Sequence, residues 1–111
     1  MLPHGAEKES TAAVYQAFDR RGGEAGFDER RRDLLTVIGA VRAPRDLDGL
    51  PRNDLAASPH AVELERLGAF RADVSGAGPV VYGLFEDKES AGAAAEDLAR
   101  VGTAWICRPT W

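Results

Sequence analysis

The hydrophobic pattern is clearest in the stretch 69–85. Phe70, Ala72 and Val74 alternate with polar residues, and a continuous apolar run follows at Val80–Phe85. Alternation predicts a half-buried strand, and a short apolar run after turn residues predicts a second strand. The residues between the two predicted strands are mostly small: Ser75, Gly76, Ala77, Gly78 and Pro79.

This small-residue segment, called the glycine loop below, has two interpretations. It leads into a strand, so it differs from the two common phosphate-binding motifs, which need a helix directly after their glycines. Its glycines give backbone freedom, and the amides of Gly76, Ala77 and Gly78 could form an anion-binding nest. The alternative is a plain hairpin connection. The residues alone leave both interpretations open.

Upstream of this stretch the apolar residues follow a helical period. Ser10 and Thr11 can cap a helix that runs to about Arg21 and ends at Gly22-Gly23. Asp28 opens a second helix. Its predicted buried stripe consists of four residues: Leu34, Leu35, Ile38 and Val41.

The remaining elements are predicted from caps and turn residues. Ala43–Pro51 reads as a loop, and Asn53 or Asp54 can cap a short helix after it. Ser58-Pro59 predicts the start of a helix that continues to Leu67. Further predicted elements are a helix over 88–100 capped by Asp87 and a final strand over Thr103–Arg108 that contains Trp105.

These elements predict an α+β fold in which an antiparallel sheet carries helices mainly on one face, close to a ferredoxin-like plait. Val80–Phe85 is apolar on both faces, as in strands that are covered on both sides. The helices can cover one face well and the other only in part. We therefore expect the chain to pack against another domain or subunit. We also expect Met1–Pro3 to be the end of a strand that begins outside this chain.

Composition excludes several classes of protein. A length of 111 residues suits one domain, and a net charge of -4 argues against general nucleic-acid binding. A single cysteine cannot form an internal disulfide, which suits a reducing compartment. No apolar run approaches membrane-spanning length. We expect a cytoplasmic protein with no membrane or nucleic-acid partner.

Few other residues suggest chemistry. The run Arg30–Arg32 is flanked by acids and reads as a solvated helix face. His4, His60 and Cys107 have no metal-ligand spacing, so no metal site is predicted, and Cys107 reads as a core residue. Tyr15 could stack on a planar ligand with its hydroxyl in water, or be an ordinary core tyrosine.

Three segments in order suggest a known family. They are Ser10-Thr11-Ala12-Ala13-Val14-Tyr15, then Asn53-Asp54-Leu55, then the glycine loop followed by Val80–Phe85. The set resembles the C-terminal half of the 4-diphosphocytidyl-2-C-methyl-D-erythritol kinases of the GHMP kinase superfamily. The glycine loop resembles the third motif of that superfamily. The other two segments narrow the resemblance from the superfamily to the diphosphocytidyl-methylerythritol kinases. Ala56 stands where the family usually has glutamate after Asn-Asp-Leu.

The resemblance implies ATP-dependent phosphorylation of the substrate's 2-hydroxyl, a step of the non-mevalonate route to isoprenoid precursors. It implies that Tyr15 stacks on cytosine, that Thr11 lies beside that pocket, and that the glycine loop closes the active site near the diphosphate. Asn53 and Asp54 would have a structural role as helix caps. ATP and magnesium would serve the parent enzyme, and no catalytic residue has a matching position in this chain.

The expected organisation follows from the resemblance. Residues 1–9 would be the end of an inter-domain strand and a linker, and residues 10–111 a GHMP kinase C-terminal domain. The N-terminal kinase domain would be a partner, on the same parent chain or a separate one. Two other readings stay open: the C-terminal domain of another GHMP small-molecule kinase, and a stand-alone ligand-binding or regulatory module of the same plait.

Overall fold

The computed structural model describes residues 1–7 and 9–109, so residue 8 of the predicted linker and residues 110–111 of the predicted domain lie outside the described residues. The elements in chain order are β1 (Leu2–Pro3), α1 (Thr11–Arg20), α2 (Phe27–Ala40), a 3-10 helix (Pro44–Gly49), α3 (Pro59–Arg66), β2 (Arg71–Val74), β3 (Val81–Leu84), α4 (Lys88–Leu98) and β4 (Gly102–Thr103). No helix among these residues is both long enough and apolar enough to span a membrane.

The strands form two antiparallel pairs, β1 with β4 and β2 with β3. Met1 and Val81 connect the pairs. The amide of Val81 donates to the carbonyl of Met1 at 2.9 Å, and the amino terminus of Met1 donates to the carbonyl of Val81 at 2.6 Å. The strands therefore lie in the order β4-β1-β3-β2. This is the predicted α+β fold, built on two small antiparallel sheets that meet at Met1 and Val81.

Helices α3 and α4 cover the same face of the sheet. Leu64 of α3 and Leu98 of α4 share one buried cluster with Val81 at the sheet centre. Gly83 lies under α3, where an added Cβ would come within 3.2 Å of Leu64 Cδ2 and 3.3 Å of Ala69 Cβ. A larger residue at position 83 would push the helix away, so the core depends on this close approach.

The opposite face of the sheet is covered unequally. Arg71 and Asp73 of β2 lie on it, opposite Leu84 and Tyr82 of β3. The segment 48–53 lies over β2, so the side chains of Arg71 and Asp73 are only 4% and 10% exposed. Tyr82 is 37% exposed and Leu2 of β1 is 38% exposed. One face is thus well covered and the other only in part, as the apolar pattern indicated.

Three predicted helix starts, at Ser10, Ser58 and Asp87, are confirmed, whereas α2 begins at Phe27 after Gly26 and has no side-chain cap. The Ser10 hydroxyl accepts from the amide of Ala13 at 3.1 Å, and the Asp87 carboxylate accepts from the amide of Ser90 at 2.7 Å. Ser58 caps α3 in the same way. The acceptance of amide hydrogen bonds lowers the pKa of Asp87 below its usual value. Local side-chain chemistry therefore sets these boundaries.

Several other predictions are wrong. Residues 53–55 form no helix, and the predicted loop 43–51 contains the 3-10 helix instead. The last strand ends at Thr103, because β1 pairs only with Gly102 and Thr103. Beyond it Trp105 is 63% exposed and Cys107 is exposed, so neither is a core residue.

The predicted buried stripe of α2 is also wrong. None of its residues is buried, and Leu35 and Ile38 are 53% and 52% exposed. The helix packs on the 3-10 helix at the edge of this stripe, where Val37 approaches Gly49. The amphipathic period is present, but Leu34, Leu35 and Ile38 of that stripe remain partly in water.

We predict that Ile38→Ala changes the free energy of unfolding by no more than about 0.5 kcal/mol, because the side chain stays half in water. Leu98→Ala, the matched control in the core, should cost about 2–5 kcal/mol. Urea denaturation followed by circular dichroism measures both values. A loss at Ile38 as large as that at Leu98 would show that α2 is buried in solution.

We predict that Asp73→Ala lowers the free energy of unfolding by about 3–5 kcal/mol, because it leaves the buried guanidinium of Arg71 without its charged partner. The control is Glu86→Ala, which breaks the exposed pair with Arg45 and should cost less than about 1 kcal/mol. Equal costs in the same denaturation assay would contradict a buried role for Asp73.

Candidate functional site

The glycine loop connects β2 to β3 and is a tight, internally bonded turn. The amide of Ser75 donates to the carbonyl of Val80 at 2.8 Å, and the amide of Gly78 donates to the carbonyl of Ser75 at 3.0 Å. Gly76 and Gly78 have φ angles of +57° and +81°. Residues with a Cβ rarely adopt such angles, which is the physical reason for glycine at both positions.

The loop has fewer free donors than its sequence suggested. Of the three amides predicted for an anion nest, that of Gly78 is occupied within the turn. The amides of Gly76 and Ala77 donate to no other described residue. Gly76 is exposed and Ala77 is half-buried. The loop therefore presents two neighbouring N–H groups that could bind one anionic oxygen.

Asn53 binds the glycine loop directly. Its side-chain Nδ2 donates to the carbonyl of Gly76 at 2.7 Å and to the carbonyl of Val74 at 2.8 Å. Its Oδ1 accepts from the amide of Leu55 at 2.8 Å, which makes a local turn. The expected helix-capping role is wrong, since no helix starts here. The role of Asn53 is structural in a different way, because it joins a distant segment to the loop.

A buried ion pair lies behind Asn53. Oδ2 of Asp73 accepts from the amide of Asn53 at 2.8 Å and from Arg71 at 3.1 Å. Arg71 also donates to the carbonyls of Leu50 and Pro51. The approach of residues 50–53 to β2 is thereby determined by charge-assisted hydrogen bonds in a site with little water.

The next two residues connect the same segment to the helices. Arg21, just after α1, donates to the carbonyls of Asp54 and Leu55. Arg30 of α2 lies 3.4 Å from the Asp54 carboxylate. Arg30 also donates to the carbonyl of Gly23 at 2.5 Å, so it is not the free solvated residue that was expected. Asn53-Asp54-Leu55 thus lies between the helices on one side and the glycine loop on the other.

Thr11 and Tyr15 lie one turn apart on α1. Thr11 is exposed, and Tyr15 is 50% exposed. An aromatic ring in this setting is accessible to a planar ligand and is not a core residue. No hydrogen bond within 1–7 and 9–109 joins either residue to the glycine loop; the connection runs through Arg21 and the 53–55 segment.

Ala56 has a physical explanation. It packs, partly buried, against the core cluster of Leu64 and Val81. A glutamate carboxylate would be costly at an apolar contact of this kind. The departure from Asn-Asp-Leu-Glu therefore fits the packing here.

Other candidates contribute little to a site. The described residues contain no group of three His, Cys, Asp or Glu side chains that could hold a metal ion. A shallow depression on α2 has no lining residue in common with the glycine loop. Its lining consists of Asp28, Arg31, Arg32, Leu35 and Thr36. The loop with its Asn53 support is the better-defined arrangement.

Comparison with known proteins identifies one related family. Residues 63–104 match the family model described as GHMP kinases C terminal. No curated protein and no solved structure matches the chain. The matched segment contains the glycine loop and all of α3, β2, β3, α4 and β4 except the first residues of α3. Thr11, Tyr15 and Asn53 lie outside it.

The match covers less than half of the chain, but it includes the strands and helices that build the core. The α+β architecture observed over this segment is consistent with a GHMP kinase C-terminal domain. Over residues 63–104 the chain is therefore similar to the C-terminal domain of the GHMP kinases.

Proposed function

We propose that this chain is the C-terminal, substrate-binding half of a kinase that phosphorylates the 2-hydroxyl of 4-diphosphocytidyl-2-C-methyl-D-erythritol. The observation that carries the proposal is the glycine loop itself. It lies inside the segment similar to GHMP kinases and presents the amides of Gly76 and Ala77. The choice of substrate rests on the resemblance of the segments around Tyr15 and Asn53 to the diphosphocytidyl-methylerythritol kinases.

In this proposal the chain recognises the two ends of a cytidine-diphosphate substrate with different groups. The ring of Tyr15 stacks on cytosine, and Thr11 lies beside it. A stacked base on an exposed aromatic is favourable because it removes two flat apolar surfaces from water. The amides of the glycine loop then donate to a diphosphate oxygen, whose negative charge favours N–H donors.

The chemical step belongs to the proposed N-terminal kinase domain. Phosphoryl transfer needs a phosphate cradle, magnesium and a group that orients the attacking hydroxyl. The donors of the glycine loop suit an oxyanion and not a cation, and the described residues form no carboxylate cluster for magnesium. As the resemblance implies, we assign ATP and magnesium to the parent enzyme and give this chain binding and orientation only.

We predict that the purified 111-residue chain has no kinase activity toward this substrate with ATP and magnesium. The expected rate of ADP formation in a coupled assay equals that of the buffer blank. The positive control adds the N-terminal domain of a diphosphocytidyl-methylerythritol kinase and should restore ADP formation. Turnover by the chain alone would contradict the proposal that the catalytic residues lie in the N-terminal domain.

We predict that Tyr15→Ala weakens binding of cytidine diphosphate by about tenfold or more, since base–aromatic stacking contributes about 1–3 kcal/mol. Tyr15→Phe, which keeps the ring, is the matched control and should retain affinity. Nuclear magnetic resonance titration measures both. Equal affinity of the alanine and phenylalanine variants would remove the reason for cytidine and favour another GHMP kinase substrate or a regulatory module.

A further inference from the structure

We propose that Asn53 is a positioning residue that orients the Ala77 N–H of the glycine loop toward its ligand. This inference rests on the proposed function for the identity of the ligand, an anionic oxygen. The orientation itself follows from hydrogen bonds within the chain. It gives Asn53 a role different from the helix cap expected from its sequence.

The orientation follows from the planarity of a peptide unit. The carbonyl of Gly76 and the N–H of Ala77 belong to the same trans peptide unit, in which the two groups point in opposite directions. Asn53 Nδ2 holds that carbonyl at 2.7 Å. The Ala77 N–H must therefore point away from Asn53, and it donates to no other described residue. The direction of the Ala77 N–H is therefore fixed before a ligand binds.

Asparagine meets all the requirements of this position. Both hydrogens of its side-chain amide are used, on Val74 and Gly76, and its Oδ1 accepts from Leu55. Aspartate would place a carboxylate against two carbonyl oxygens. Serine has one donor where two are needed. A substitution at Asn53 therefore releases the Gly76 carbonyl even where it preserves the size of the side chain.

The support behind Asn53 is rigid. Its backbone amide donates to Asp73 Oδ2, and Asp73 also accepts from Arg71 and, through Oδ1, from the amide of Val74 at 2.9 Å. Both charged side chains are at least nine-tenths buried. A group anchored in this way resists displacement, which is the property that a positioning residue needs.

We expect Asn53→Asp and Asn53→Ala to increase the motion of the glycine loop without unfolding the rest of the chain. Backbone ¹⁵N relaxation should show the order parameter of Ala77 falling from about 0.85 to below about 0.6. Exchange of the Gly78 amide should accelerate about tenfold. The control is Arg52→Ala, which removes the hydrogen bond to the Ala72 carbonyl of β2, at 2.7 Å, and the ion pair with Glu65, neither of which involves the loop. It should leave both readouts unchanged.

A titration with inorganic pyrophosphate tests the ligand. In the unmodified chain we expect a chemical-shift change at the Ala77 amide, and a loss of about tenfold in affinity in both Asn53 variants. If the variants release the loop but pyrophosphate never shifts Ala77, Asn53 still positions the loop while the proposed diphosphate role fails. If all three variants lower stability and leave the Ala77 order parameter unchanged, the positioning role is overturned.

A measurement on the unmodified chain keeps the proposal testable if the variants do not fold. Both side-chain amide protons of Asn53 should exchange with water about tenfold or more slowly than those of an exposed asparagine amide in a model peptide. Exchange of both protons at the model-peptide rate would contradict the two hydrogen bonds. It would thereby overturn the role of Asn53.

Discussion

The buried pair of Arg71 and Asp73 is the interaction on which the second face of the sheet depends. Two charges at this depth are costly unless each finds hydrogen-bond partners. Arg71 finds them in backbone carbonyls of the segment 48–51, and Asp73 finds one in the amide of Asn53. The pair therefore holds an irregular segment across β2, because backbone groups of that segment supply most of its hydrogen-bond partners. Nε of Arg71 has no partner among the described residues.

The two faces of the sheet are built by different physics. Leu64, Leu98 and Val81 form an apolar contact under two helices, where loss of water-exposed surface supplies the stabilisation. The other face depends on directional hydrogen bonds over β2 and leaves Tyr82 and Leu2 more than a third exposed. Apolar packing tolerates small shifts, whereas charge-assisted hydrogen bonds specify a position. The glycine loop is held by directional hydrogen bonds of this second kind, through Asn53.

The candidate site combines residues inside the segment similar to GHMP kinases with residues outside it. The glycine loop lies within the segment similar to GHMP kinases, whereas Tyr15 lies on a helix outside that segment. Asn53-Asp54-Leu55 joins them, through Gly76 on one side and Arg21 on the other. Loops that carry ligands work well when a rigid neighbour limits their motion. Here the neighbour is a segment with no helix or strand of its own.

Three helix starts, the two central strands and the glycine loop could be predicted from the sequence, because caps, period and glycine angles act over a few residues. Ser10, Asp87 and Gly76 behave as their local chemistry requires. The exposure of Ile38, the burial of Arg71 and the partners of Asn53 could not be read in this way. Each depends on residues about 20 positions away or more, or on which element lies opposite, and pairing across such distances is decided only when the whole chain packs.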